Sequence, residues 1–283
     1  MLDTNEGLMA AVVFIFRSIL RSLVVFAALC SPLKAQEMRL ITSPWPPSAF
    51  YDANGHPTGI AVDMVTALKD QMGLSTPIEI LPWARGYKIA EAKPNILLFT
   101  AGRTQERLDL GFEFIGPAIM WTHGLLVKNG SDLTIESLED ARQKGITAVG
   151  VRGSWQVKLL KKAGIQTVET SDQGTGARML LADRVDVWIT SSLQASAVLK
   201  EIGVPTSEAK TVFTVRKSPS YLMISNGTDP QLLNKWRTAY EELKQSGTLH
   251  GIAKDWSDRL GVPLTYRPED GFSAVGSGED GTG

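Results

Sequence analysis

Two arginines follow directly on a stretch of sequence that has the character of a buried strand. The stretch FTAGRTQER, residues 99–107, continues the apolar run NILLF and carries Thr100, Arg103 and Arg107. A short apolar run bounded by polar residues is typical of a parallel strand covered on both faces, and ligands bind at the carboxyl ends of such strands. Arginine there offers a planar fork of donors that matches a carboxylate or phosphate. The alternative is that both arginines are solvated residues of a loop and a helix start.

Tryptophans follow two other predicted strands. Trp45 lies in the loop after the first strand, and Trp83 follows the strand PIEIL. Both therefore fall at the same predicted sheet edge as Thr100, where two indoles could hold a flat or apolar ligand. The alternative is that they belong to the core. Trp121, near a predicted hinge, and Trp188, within a predicted strand, are further candidates.

A serine stands at a predicted helix start in the segment GVRGSWQ, residues 150–156. Backbone N–H groups at a helix start, together with the Ser154 hydroxyl, form an anion site that needs no charged side chain. The alternative is that Ser154 caps its helix and binds no ligand, although one hydroxyl can do both.

Catalytic, metal and nucleic-acid functions find little support in the sequence. The three histidines, His56, His123 and His250, lack metal-ligand spacing, and there is no P-loop, GxSxG or HExxH motif. The glycines of GTGARML indicate a helix start rather than a nucleotide site. The charges nearly cancel, with 29 Lys and Arg against 30 Asp and Glu, so no general attraction to nucleic acid is expected. We expect no catalytic residue, no metal and no cofactor.

Strands and helices alternate in two series, which predicts an α/β protein with two lobes, each a mostly parallel sheet flanked by helices. We expect residues 36–121 and 222–265 to form lobe 1, because the C-terminal helices return to the first series. Residues 122–221 would form lobe 2. The glycine- and acid-rich residues 266–283 are expected to be a disordered tail.

The first part of the chain differs in character from the rest. Residues 9–35 place Arg17 and Arg21 ahead of a short apolar core, which is typical of a secretory signal peptide with cleavage after Ala35. An uncleaved anchor helix is the alternative, but it would place the arginines inside the bilayer. Cleavage would remove the only cysteine, Cys30, so residues 1–35 are interpreted as a signal peptide and the mature protein as periplasmic.

Taken together, the segments resemble those of the extracytoplasmic solute-binding proteins of family 3, the polar amino-acid-binding type. The matching pieces are GIAVDMVTAL, TAGRTQER, LGFEFIGPAI, GVRGSWQ, LLADRVDVWIT and WRTAYEELKQSGTLHGIAKDW, which occur in family order between Leu40 and Trp256. This resemblance implies the type II periplasmic-binding fold, in which two lobes joined by two hinge crossings close on a small solute.

The resemblance also implies roles for individual residues. Arg107 is similar to the family arginine that holds the ligand carboxylate. Thr100 matches a nearby hydroxyl donor, and Ser154 matches the second-lobe donor at a helix start. Trp45 and Trp83 stand where the family places aromatic residues around the ligand.

One departure from the family pattern affects the expected ligand. Amino-acid binders usually place an acid after the strand that matches VDVWIT, but here Ser191 and Ser192 stand in that region. A carboxylate or another polar solute with an apolar body therefore fits better than an α-amino acid. Arg85 and Arg103 could add positive charge to the site or could face solvent. The candidate ligand contacts thus include Arg85, Arg103 and Ser191.

The expected function is periplasmic solute binding by a monomer that serves an ABC-type transporter, with an inner-membrane permease complex as partner. One alternative is a ligand-sensing module that presents its closed form to a membrane receptor. Another is a lyase or dehydratase derived from a binding protein. An enzyme would need a positioned acid or base in the cleft, and the motif positions offer arginines, hydroxyls and tryptophans instead.

Overall fold

The structure of the protein, a computed structural model, describes residues 38–275. The predicted signal peptide, residues 1–35, and the last part of the predicted tail lie outside the described residues. Within residues 38–275, no helix combines the length and the apolar character needed to cross a membrane.

Three parallel strands build one side of the main sheet. β1 (Arg39–Thr42) pairs with β4 (Ile78–Ile80) on one side and with β5 (Ile96–Gly102) on the other. Their carboxyl ends therefore lie at one edge of the sheet, as in other parallel sheets. The remaining elements of this part are α1 (Ile60–Gln71), α2 (Trp83–Ala92), α3 (Gln105–Asp109) and a small hairpin of β2 (Phe50–Tyr51) and β3 (Pro57–Thr58).

Two long strands carry the chain from one half of the molecule to the other. β6 (Glu113–Lys128) and β10 (Ala209–Ile224) are each 16 residues long and pair in antiparallel fashion along their whole length. They lie at the centre of the strand order β4-β1-β5-β10-β6-β9-β7-β8. The predicted lobe boundaries, between residues 121 and 122 and between residues 221 and 222, fall inside these two strands.

The second half repeats the alternation of strand and helix. β7 (Thr147–Val151) pairs in parallel with β8 (Gln166–Thr170) and with β9 (Val187–Ser191), and β9 pairs with β6. The helices of this half are α4 (Leu138–Gln143), α5 (Trp155–Lys162), α6 (Gln173–Leu181) and α7 (Ser192–Glu201), followed by a short 3₁₀ helix (Thr206–Glu208).

The C-terminal helices return to the first half. Both α8 (Pro230–Gln245) and α9 (Thr248–Leu260) pack against α1. Polar contacts support this packing, among them the bond that the indole Nε1 of Trp256 in α9 donates to Asp63 Oδ2 in α1 over 2.8 Å.

The expectation of a disordered tail from residue 266 onward is wrong for its described part. β11 (Leu264–Arg267) and β12 (Gly271–Ala274) form a hairpin, and β12 pairs with β6. Tyr266 and Phe272 are buried in the core around α8 and α9. The glycines and acids of this segment suggested a solvated tail, but its two aromatic residues bury enough apolar surface to hold the hairpin in place.

Separate hydrophobic clusters support the two halves. The largest joins α1, α8 and α9 to the first strands, and Trp236 and Tyr240 are its largest fully buried side chains. The second half has its own clusters, in which Trp188 and Leu160 are fully buried. Each half therefore has its own core, and the long strands β6 and β10 connect them.

Candidate functional site

A cavity of about 260 Å³ opens where the strand ends of the first half approach the second half and the long strands. Its lining consists of indole rings, one imidazole, hydroxyl groups and little else. The lining residues are Ser43, Trp45, Trp83, Thr100, Gly102, Trp121, His123, Trp155, Ser218, Pro219 and Ser220. Among these described residues, none carries a carboxylate, ammonium or guanidinium group.

The first half contributes residues from three adjacent strand ends. Ser43 and Trp45 follow β1, Trp83 begins α2 just after β4, and Thr100 and Gly102 end β5. Because β4, β1 and β5 are parallel neighbours, these positions converge at one edge, where open α/β sheets bind ligands. The structure thus brings together three of the predicted contacts, Trp45, Trp83 and Thr100.

The tryptophans pack around the cavity largely edge to face. Trp45 and Trp121 approach with ring centres 6.2 Å apart and planes at 87°, and Trp155 meets the His123 ring at 5.0 Å and 85°. Trp45, Trp83 and Trp155 are 43%, 36% and 38% exposed, although tryptophans are usually highly buried. A set of partly exposed indoles on one cavity marks a surface for an apolar or aromatic body.

Arg107 stands beside the cavity and touches two of its lining residues. Its Nη1 donates to the carbonyl oxygen of Gly102, and its guanidinium carbon lies 5.0 Å from the ring centre of Trp83 and 5.2 Å from that of Tyr87. Arg103, by contrast, lies over Phe114 at 5.8 Å and is not part of the lining. Arg107 therefore places positive charge against the wall of the cavity.

Thr100 has an unusual backbone. Its φ is 68°, in the left-handed region that is a genuine outlier for a β-branched residue. In the pairing of β5 with β10, Ala101 and Phe99 face consecutive residues of β10, so Thr100 is the extra residue of a bulge. Its hydroxyl lies 3.2 Å from that of Thr42. Strained residues of this kind cluster at ligand sites.

Two predicted contacts use their hydroxyls to cap helices. Ser154 accepts a bond from the backbone N–H of Val157 over 3.2 Å and begins α5, whose first residue, Trp155, lines the cavity. Ser191 accepts from the N–H of Gln194 over 3.3 Å and is fully buried. Neither serine belongs to the lining.

Arg85 lies in a different place from the cavity. With Arg39 and Lys88 it lines a separate surface groove along α2. The structure therefore does not bring Arg85 together with the other predicted contacts.

His123 is a lining residue that the sequence did not nominate for binding. It lies in β6 directly opposite Ser191 of β9, is 6% exposed, and has its Nδ1 3.5 Å from Gln156 Nε2. Burial, together with the nearby charge of Arg216, lowers the pKa of His123 to about 4 from its ordinary 6.5. The imidazole is therefore neutral at physiological pH.

Trp155 and the serines of the long strands were missed as well. Trp155 follows Ser154 in the segment GVRGSWQ. Its position at the predicted helix start could have identified it as a candidate contact. Ser218, Pro219 and Ser220 lie in β10, where the Trp121 indole Nε1 donates to Ser220 Oγ over 3.2 Å. Trp188, a weaker candidate, is buried in the second half and donates to Gln173 Oε1.

Residues 38–259 match the family of bacterial extracellular solute-binding proteins, family 3. The chain belongs to this family. A relative from Haemophilus influenzae, the "Probable amino-acid ABC transporter-binding protein", is 26% identical over 212 residues, which cover 74% of this chain and 80% of the relative.

Solved structures of binding proteins share the fold. An ancestral arginine-binding protein bound to arginine is 27% identical, with a TM-score of 0.56 over 78% of this chain and 97% of the other. The L-cystine solute receptor of Neisseria gonorrhoeae, in its unliganded open conformation, is 23% identical, with a TM-score of 0.60 over 77% of this chain and 92% of the receptor. The predicted family and the two-lobed type II fold are confirmed, and so is the solute-binding role that family 3 implies.

In the part of the chain that the structure describes, no group of three or more His, Cys, Asp or Glu side chains could hold a metal ion. The candidate site of this family 3 protein consists of aromatic rings, neutral polar groups and the adjacent guanidinium of Arg107.

Proposed function

We propose that this family 3 protein captures a small organic carboxylate with a flat, apolar body, and that its lobes close on the solute and pass it to an ABC-type transporter. The observation that carries the proposal is the composition of the cavity: four tryptophans line it, Arg107 borders it, and no acid stands among the described lining residues.

The charge around the cavity favours an anion. Arg107 lies against Trp83, and the Arg216 guanidinium carbon lies 5.4 Å from the ring centre of Trp155. Both rings line the cavity. A cationic solute would lie near two guanidinium groups without a carboxylate in the lining to offset them, whereas a carboxylate would be attracted and could be held by the planar fork of Arg107.

The aromatic lining favours a flat body. Indoles pair best with other aromatic groups in offset or edge-to-face geometry, and each such contact contributes about 0.5–1.5 kcal/mol beyond the area that it buries. Trp45, Trp83 and Trp155 are exposed enough to gain burial when a solute enters. In this proposal Trp45, Trp83 and Thr100 contact the solute, and Arg107 binds its carboxylate.

Delivery to a transporter rests on the family and on the role of one relative. The Haemophilus relative is described as an ABC transporter-binding protein. We also assign this protein to the periplasm, as a monomer from which a signal peptide has been cleaved after Ala35, with a permease complex as its partner. Lobe closure would use β6 and β10 as hinges, with the solute's contacts to both halves favouring the closed state.

Three matched probes test the proposal by thermal shift and titration calorimetry. Phenylpropionate has a carboxylate and no amino group, phenylalanine has both, and phenethylamine has only the ammonium. Binding to the native state raises the melting temperature by mass action. We expect phenylpropionate to raise it, phenethylamine to leave it unchanged, and the bound probe to be recovered chemically unaltered.

Other outcomes would contradict the proposal. A shift with phenylalanine or phenethylamine but not with phenylpropionate would mean that the site needs an ammonium group. Absence of a shift with all three would reject a flat carboxylate as the solute class. Conversion of a probe into product would point to the enzyme alternative.

A further inference from the structure

We propose that His123 and Ser43 bind an uncharged hydrogen-bonding group on the body of the solute, so that the site selects carboxylates whose second polar group is neutral. This inference rests on the proposed function, because it assumes that the carboxylate lies toward Arg107. It assigns roles to two lining residues, one from each half of the molecule.

Ser43 offers a hydrogen-bonding group that the protein leaves unused. Its Oγ is buried and has no hydrogen-bond partner among the described residues, although Ser43 lines the cavity. A buried hydroxyl without a hydrogen-bond partner destabilises the folded protein, and most buried polar groups do have a partner. An unpaired hydroxyl beside a cavity therefore suggests a ligand as its partner. The hydroxyl of Ser220, which also lines the cavity, already accepts from Trp121 and donates to the Ile119 carbonyl. Of the two hydroxyls, that of Ser43 is therefore the one left without a partner.

We infer that His123 presents a donor to the solute. The side-chain Nε2 of Gln156 lies 3.5 Å from His123 Nδ1, and with Gln156 donating there, Nδ1 is the accepting nitrogen. The proton of a neutral imidazole then resides on Nε2, which donates. The solute group that suits this nitrogen is an oxygen or an aromatic nitrogen with a free lone pair.

An ammonium group does not fit the same place. It has donors and no acceptor, so it would meet the Nε2–H of His123 donor to donor. The guanidinium of Arg216 also lies against Trp155, which packs on His123. Since no carboxylate stands among the described lining residues, an ammonium would lose its hydration without a compensating charge.

Three further probes, which share one carboxylate and one ring, test the inference. They are para-hydroxyphenylacetate, para-methylphenylacetate and para-(aminomethyl)phenylacetate, and they differ only in the group opposite the carboxylate. By calorimetry we expect the hydroxyl compound to bind at least about tenfold more tightly than the methyl compound, because a site with unpaired polar groups discriminates against an analogue that lacks the hydroxyl. We expect the aminomethyl compound to bind more weakly than either.

Two pairs of variants locate the effect. Ser43→Ala should remove most of the preference for the hydroxyl over the methyl compound. Ser48→Ala is its matched control, because the Ser48 hydroxyl is also buried without a partner among the described residues but lies outside the cavity lining. His123→Leu should likewise reduce the preference, and His250→Leu, at a histidine that packs on Tyr266 away from the cavity, should not.

The outcomes separate this inference from the proposed function. If the methyl and hydroxyl compounds bind equally well, or if Ser43→Ala and Ser48→Ala both keep the preference, the inference is overturned while carboxylate binding stands. If the aminomethyl compound binds best, the inference is likewise overturned. If none of the three binds, the proposed function and this inference are both rejected. Should His123→Leu fail to fold, the Ser43 and Ser48 pair still decides the question.

Discussion

The guanidinium carbon of Arg107 lies 5.0 Å from the centre of the Trp83 ring, and that ring lines the cavity. The two residues come from different segments of the first half, α3 and α2. Their contact joins Arg107, one of the three arginines predicted as ligand contacts, to the aromatic wall of the cavity. It also holds the arginine in place before any solute arrives, which reduces the conformational entropy that binding would otherwise cost.

Replacement of Arg107 tests the anion-binding role. Loss of one partner from a closed charge pair costs about 2–5 kcal/mol, so Arg107→Ala should weaken phenylpropionate binding by about thirtyfold or more. The empty protein should lose about 1–3 kcal/mol, the value of exposed cation–π contacts together with the hydrogen bond to the Gly102 carbonyl. Arg103→Ala is the control, because Arg103 lies over Phe114 outside the lining. Calorimetry that gave equal affinities for Arg107→Ala and the parent protein would refute the role.

Tryptophan fluorescence should report solute binding. Trp45, Trp83 and Trp155 are each more than a third exposed in the empty protein, so phenylpropionate should reduce their quenching by acrylamide. Trp155→Phe should diminish the change. Trp256→Phe should leave it intact, because Trp256 is 4% exposed and lies in α9. Unchanged quenching at saturating probe would count against these tryptophans as contacts.

The strained backbone of Thr100 predicts an inverted order of stability for two substitutions. A left-handed conformation costs a residue with a Cβ about 1–2 kcal/mol, and glycine escapes this cost. Thr100→Gly should therefore be more stable than Thr100→Ala by about 1 kcal/mol in urea denaturation. Thr42, its hydrogen-bonded neighbour in β1, provides the control. Thr42→Ala should be more stable to unfolding than Thr42→Gly by about 0.5–1 kcal/mol, because glycine destabilises an ordinary strand by about that amount. The same order at both positions would contradict the bulge.

Burial of His123 predicts a loss of stability in mild acid. Its pKa is about 4 in the folded protein against an ordinary 6.5, so between these values the unfolded chain binds more protons than the folded one. The free energy of unfolding should therefore fall as the pH drops from 6.5 toward 4, by up to about 3 kcal/mol from this group. His123→Gln should lack that component, while His250→Gln should keep it. Parallel pH profiles for His123→Gln and the parent would show that His123 titrates normally.

Asp63 predicts a pH dependence of opposite sign. Burial raises its pKa above the ordinary 3.8, and this outweighs the opposing effects of the Trp256 hydrogen bond and of Arg259. The folded state thus retains the proton longer than the unfolded chain, so this contribution to stability is lost as the pH rises from 3.8 through the raised value.

Asp63→Asn keeps an oxygen that can accept from Trp256 and removes the buried charge. The variant should equal or exceed the stability of the parent at neutral pH, and its advantage should vanish in acid. Asp258→Asn, at an exposed residue paired with Lys254, should show no such advantage. Urea denaturation measured at several pH values tests this prediction. If Asp63→Asn lowered the free energy of unfolding by several kcal/mol at neutral pH, the prediction would be wrong.

Local sequence patterns predicted much of the fold because they reflect local physics. Apolar runs such as NILLF and amphipathic stretches such as GIAVDMVTAL indicate their own secondary structure, and their alternation implies parallel strands. The full length of β6 and β10 was not predictable in this way. Their ladder joins residues about 80 to 110 positions apart, and its register depends on both partners.

By itself, the sequence determined the two-lobed α/β architecture and the edge at which Trp45, Trp83 and Thr100 lie, since parallel strands bring their ends together. Only the tertiary structure decided which other side chains reach the cavity. Pairing of β6 with β9 and β10 placed His123 in its wall. This outcome depends on contacts between distant segments, and no local pattern of residues encodes it.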